Sequence, residues 1–178
     1  MSRKLLVLAC VLAAAAMGYS QTAADSKSHE AAAADVASPE SILKATYDVI
    51  SGPAGKQRDW DRLRSLCVQD VHFIVLAKPG SDQPVHSYDI NAFVDAAQKA
   101  LQSEGFYERS IANHEERWDR MAQVFSTYES RHNASDPKPF ERGINSFQLA
   151  NDGKRWWIVN IYWERETPEA PIPKKYLK

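Results

Sequence analysis

The segment Lys154-Arg155-Trp156-Trp157-Ile158-Val159-Asn160-Ile161-Tyr162-Trp163 constrains this chain more than any other ten residues. It holds three tryptophans, one tyrosine and three β-branched aliphatics, and no Gly or Pro interrupts it. Side chains of this kind fit a pleated surface, so the segment reads as a strand. Both alternating sets are apolar: Trp156, Ile158 and Tyr162 on one side, Trp157, Val159, Ile161 and Trp163 on the other. A half-solvated strand would alternate apolar with polar, so this one is expected to be covered on both faces.

The strand does not stand alone. Asn151-Asp152-Gly153 before it is a hairpin signal, because Asp-Gly tolerates the positive φ of a tight turn. Strands are expected at about 106–118, 121–132, 140–150 and 154–164, with breaks at Trp118-Asp119-Arg120 and from Asn133 to Pro139. Upstream of Gly105 the pattern is mainly helical. Ser38-Pro39-Glu40 places an N-cap, a first-turn proline and an acid at a helix start, and Ser51-Gly52-Pro53 ends that helix. Ile42, Leu43, Tyr47, Val49 and Ile50 form its apolar side. Asp59 caps a shorter helix with Trp60, Leu63 and Leu66 inward, and Val71 to Ala77 reads as a strand closed by Lys78-Pro79-Gly80. A third helix is expected from about Tyr88 to Gln102. Helices first and antiparallel strands afterwards means α+β: a cone-shaped roll, its curved, mostly antiparallel sheet wrapped around about three N-terminal helices. The open mouth of such a cone is where small-molecule sites form.

The N-terminus belongs to a different regime. Arg3 and Lys4 precede an almost unbroken apolar stretch from Leu5 to Met17, followed by small residues at Gly18 and Ser20. That layout reads as a secretory signal peptide over residues 1–20, too short to span a bilayer comfortably, and implies a periplasmic or secreted protein with no stable membrane insertion once it is removed. Residues 21–37 carry no large apolar side chain before Val36 and read as a disordered tether. The domain is expected over 38–166, and a Pro-rich tail over 167–178. Losing residues 1–20, with two cations and no acid, moves the net charge of the 178-residue chain from −1 to −3. A mildly acidic chain without a basic block does not indicate a nucleic-acid partner. Of the two cysteines, Cys10 lies in the signal, and Cys67, set among Leu63, Leu66 and Val68, reads as a buried small hydrophobe.

The arrangement resembles the nuclear-transport-factor-2-like superfamily, in its bacterial polyketide-cyclase-like (SnoaL-like) branch. The resemblance covers about residues 38–166. It is carried by the helix Ser38–Ser51, the run from Trp60 to Asp70, the segment Met121-Ala122-Gln123-Val124-Phe125-Ser126-Thr127-Tyr128-Glu129, and above all the pair Arg142 to Leu149 with Asp152 to Val159. These motifs speak for the cone and say little about a substrate, because such folds host isomerases, dehydratases, hydrolases and plain binding modules.

The resemblance implies that alternate residues of the last strand enter the cavity, here Trp156, Ile158, Asn160 and Tyr162. Relatives often carry a histidine or acid near the third or fourth of these positions; an amide and a phenol are not ready bases at neutral pH. On the preceding strand the more apolar set is Gly143, Asn145, Phe147 and Leu149, so Asn145 and Phe147 are expected in the pocket. On the strand before that, both sets mix apolar with polar, and Glu129 is a base if it faces in and an ion-pair partner if it faces out. Asp70 and His72 share a strand face, and Arg142 could accompany Glu129. His114-Glu115-Glu116 lacks the second histidine of a zinc helix, since position 118 is Trp; no metal and no cofactor is expected. The other face, Trp157, Val159, Ile161 and Trp163, is expected to make a homodimer; cover by the tail, whose Ile172, Tyr176 and Leu177 can dock there, is the alternative, and the two are compatible. Three functions remain: an exported module binding a small apolar or amphipathic molecule, a cavity enzyme of isomerase, dehydratase or hydrolase type, and a dimeric interaction module.

Overall fold

A computed structural model describes residues 30–77 and 80–178. The expected signal peptide, residues 21–29 of the tether and the Lys78-Pro79 turn lie outside the described residues. Among the described residues three α-helices start at side-chain caps, two of them, Ser38 and Asp59, where the sequence places them. In α1 (Pro39–Ile50) Ser38 Oγ accepts from the Ser41 N–H at 3.1 Å and Ser41 Oγ accepts from the Ser38 N–H at 2.9 Å, a reciprocal capping box. Asp59 caps α2 (Trp60–Leu66), and Asp89 accepts from two backbone N–H groups at the start of α3 (Ile90–Ala100).

Among the described residues six strands form one sheet: β1 (Cys67–Leu76), β2 (Val85–Tyr88), β3 (Tyr107–Trp118), β4 (Met121–Arg131), β5 (Glu141–Asn151) and β6 (Trp156–Arg165). Their order is β2-β1-β6-β5-β4-β3, and only the β1–β6 pair is parallel. The fold is therefore α+β, with a curved, unclosed, mostly antiparallel sheet and three helices. The four long C-terminal strands fall where the sequence places them. The short edge strand β2 was not legible: it has four residues and no apolar alternation.

Between β5 and β6 the register slips. Gln148 pairs with Asn160, but the next residue, Leu149, pairs with Ile158, leaving Val159 as the extra residue of a β-bulge. Before the bulge Trp156 and Ile158 face the helices, 2% and 0% exposed. After it Ile161 and Trp163 do so, paired with Phe147 and Asn145. The bulge thus exchanges the two faces halfway along the strand, and uniform alternation assigns its second half to the wrong sides. Asn160 and Tyr162, expected in the cavity, point to the outer face; Ile161 and Trp163, expected outside, point in.

Both ends of the described chain are tied to this body. Order begins before Ser38: Val36 is buried, its carbonyl accepts from the Trp156 N–H, and Asp35 pairs with Arg62 through two hydrogen bonds. One buried valine and one bidentate ion pair hold a segment that composition alone reads as a tether. The tail crosses the outer face of the sheet. Ile172 is buried there in a groove with Phe125, Ile144 and Tyr162, and Tyr176 stacks on Phe125 and accepts, through its carbonyl, from Thr127 Oγ1.

Candidate functional site

The helices and the inner sheet face enclose a cavity of about 240 Å³. Its walls are mostly apolar: Ile50 from α1, Trp60 and Leu63 from α2, Phe93, Ala97 and Leu101 on or just after α3, with Phe73, Phe147, Ile161 and Trp163 from the sheet. Trp163 and Phe73 meet Phe93 edge-on and stacked, with ring centroids at 6.3 and 4.1 Å, which fixes that wall. Ala100 and Arg165 are the lining residues most open to solvent and mark the mouth.

One end of the cavity is polar, and strand register assembles it. Glu108 on β3 lies opposite Ser130 on β4, and Ser126 lies opposite Asn145 on β5. Asn145 Nδ2 donates to Glu108 Oε1 at 3.0 Å and to the Tyr47 hydroxyl of α1 at 3.2 Å. Ser130 Oγ donates to the other Glu108 oxygen at 2.8 Å, and the Tyr47 and Ser126 hydroxyls share a hydrogen bond of 2.7 Å. Beside this group the Tyr128 hydroxyl donates to Glu141 Oε1 at 3.0 Å, and Arg165 pairs with Glu141 Oε2 at 2.7 Å. Gly143 makes this second pair possible. A Cβ there would collide with the Glu164 carbonyl of β6 and lie 2.7 Å from the Tyr128 ring, so a side chain would have to displace the neighbouring strand, the tyrosine or both.

The two carboxylates differ in kind. Glu141 has an arginine; Glu108 has only neutral donors. Burial pushes the Glu108 carboxyl up from its ordinary 4.5 to about 7, against the lowering effect of the Ser130 and Asn145 hydrogen bonds. Burial also raises the Tyr47 and Tyr128 phenols well above their usual range, so both stay protonated donors. Trp60 lines the cavity, and its buried indole N–H has no acceptor among the described residues. The site can therefore hold an apolar body against the aromatic walls and read a polar head at the Glu108 end. It can also accept or deliver a proton near neutral pH.

The sequence-predicted pocket residues divide in two. Asn145 and Phe147 line the cavity; Trp156 and Ile158 are buried in the core beyond it; Asn160 and Tyr162 face outward because of the bulge. Of the expected dimer face, Trp157 and Val159 remain outside, and Ile161 and Trp163 line the cavity. Trp157 donates from Nε1 to Asp152 and lies under the Arg155 guanidinium at 3.6 Å, which covers part of its ring. Glu129 takes its ion-pair reading: it is gripped by Arg131 and Arg109, whose hydrogen bonds hold its carboxyl below the usual range. Arg142 pairs instead with Glu166 at 2.6 Å. His72 meets Ser87, not Asp70, on the exposed face. Cys67 is buried, and burial pushes its thiol up to about 12. Among the described residues no three His, Cys, Asp or Glu side chains gather as metal ligands, and no helix is long and apolar enough to cross a membrane.

Glu108 is hidden in the sequence because Tyr107-Glu108-Arg109-Ser110 has the composition of a solvent-facing strand start. The signal lay in the pairing: counted from the β4 hairpin across the bulge at Ile111, Glu108 falls opposite Ser130, on the face that also holds Tyr128 and Ser126.

No family model and no curated protein matches the sequence. Solved structures do match the fold. A candidate association domain of calcium/calmodulin-dependent protein kinase type II from Thiobacillus denitrificans is 14% identical, with 73% of this chain and 96% of that one covered at a TM-score of 0.56. An NTF2-like protein of unknown function from Silicibacter pomeroyi is 12% identical, covering 73% and 94% at 0.51. A candidate ketosteroid isomerase from Parabacteroides distasonis is 13% identical, covering 74% and 89% at 0.50. At these identities the likeness is one of fold. This chain has the NTF2-like fold, a cone with a cavity between its helices and its sheet.

Proposed function

We propose that this chain is an exported binding domain that holds a small apolar or amphipathic molecule in its cone. The observation that carries the proposal is the make-up of the cavity: aromatic and aliphatic walls around one polar end, where Tyr47, Glu108 and Asn145 converge. Export rests on the Arg3-Lys4 and Leu5 to Met17 pattern. Native mass spectrometry of the protein purified from an exporting cell, followed by denaturation, tests it. A released small mass and an N-terminus near residue 21 support the reading. An empty protein that shows no thermal shift with any amphipathic compound in a broad panel refutes it.

A second reading is favoured by one observation. Glu108 combines a carboxyl held near 7 with two phenols and an amide around it, the equipment for moving a proton on a bound molecule. Glu108→Gln would then abolish turnover and leave binding in place. Self-association is part of the proposal too: one structural neighbour is named as an association domain, and Trp157 and Val159 remain on the outer face for a homodimer.

A further inference from the structure

We infer that the cavity is built for an organic ammonium: a protonated amine seated on Glu108, with its apolar body among the aromatic rings. This rests on the binding reading above and names the ligand class of the same site. The first observation is a charge left without a partner. The titratable and charged groups around Glu108 are Tyr47 on α1, Tyr128 on β4, Glu141 on β5 and Arg165 on β6. Arg165, the only cation lining the cavity among the described residues, is committed to Glu141, so the two acids of the lining face one arginine. Glu108 keeps two neutral donors, Ser130 and Asn145, and makes no ion pair. A carboxylate in an apolar cavity without a cation is costly, and a ligand that brings the cation removes that cost.

The second observation is the wall. Trp60, Phe73, Phe93, Phe106, Phe147 and Trp163 line the same space, and ring faces attract a cation that has left water. An anionic ligand would meet Glu108 and Glu141 with no free cation among the described lining residues to receive it. A neutral ligand would leave the carboxylate as it found it. The aromatic walls and the unpaired acid therefore select together for an ammonium.

Calorimetric titration of the purified chain with benzylamine and with its neutral analogue benzyl alcohol tests the assignment. At pH 8 benzylamine should bind about tenfold or more tightly than the alcohol, the scale of a charge-assisted hydrogen bond. Glu108→Gln should erase that preference and still bind benzyl alcohol, which also shows that the variant is folded. At pH 6 the free site holds a proton on Glu108, so benzylamine should bind more weakly and release a proton, read as a heat that varies with the ionisation enthalpy of the buffer. Equal affinities at pH 8, or a preference that survives Glu108→Gln, overturn the ammonium assignment and leave the binding reading standing. Failure of both probes to bind at millimolar concentration overturns both.

Discussion

Replacing Glu108 with Gln should change how the stability of this protein depends on pH, in a way that reads out the buried carboxyl. In the unfolded chain the group titrates at its ordinary 4.5; in the folded protein burial carries it to about 7. A raised acid contributes stability that is fully present below 4.5 and lost as pH rises through 7. Between these values the native state holds one proton that the unfolded state has released. Stability should therefore fall by about 1.36 kcal/mol per pH unit across the window, about 3 kcal/mol in all. Gln has the shape of the protonated acid and can hold both contacts, its amide oxygen accepting from Asn145 and its amide N–H donating to the Ser130 hydroxyl, so subtracting its profile from the wild-type profile cancels every other titrating group. Urea unfolding from pH 4 to pH 9 gives both profiles, provided the denaturant slope is the same for the two proteins. The expected difference is flat below 4.5, falls against the wild type up to about 7, and is flat again above it. Parallel profiles, or a step of the opposite sign, would refute the claim that Glu108 is desolvated without a cation.

Four further outcomes follow from the structure. Arg58 donates to the carbonyls of Ile50, Gly52, Pro53 and Lys56, tying the α1–α2 loop, so Arg58→Ala should cost about 3 kcal/mol by chemical denaturation and Arg58→Lys should recover little, since an ammonium cannot span that fork. Deleting Val159 removes the bulged residue but keeps every other β6 side chain on its face, so near-UV circular dichroism should stay native; deleting Tyr162 turns Trp163 outward and should abolish that signal. Ile172→Ala should lower stability by about 2 kcal/mol, because the side chain is buried between the tail and the sheet, and truncation after Thr167 should raise binding of a hydrophobic dye through exposed Phe125 and Tyr162. The native Cys67 thiol, held near 12 by burial, should resist a thiol reagent at pH 8 and react at once in denaturant.

The sequence by itself determined what depends on near neighbours. Ser38-Pro39-Glu40, Asp59 and the apolar spacing that follows them start helices wherever they stand, because caps and amphipathic periods act within a turn or two. The four long strands, the Asp-Gly hairpin and the inward set Asn145 and Phe147 were legible for the same reason: side-chain alternation is local while the ladder stays regular. Tertiary structure decided whatever depends on a partner strand. The bulge at Val159 exists only as a mismatch between β5 and β6, and that mismatch sends Asn160 and Tyr162 outward and brings Ile161 and Trp163 to the cavity. Glu108 becomes a site residue only because β4 and β5 bring Ser130 and Asn145 to it from 22 and 37 residues away. Its proton affinity follows from the solvent those strands exclude, a property of the packed cavity that no stretch of the chain carries alone.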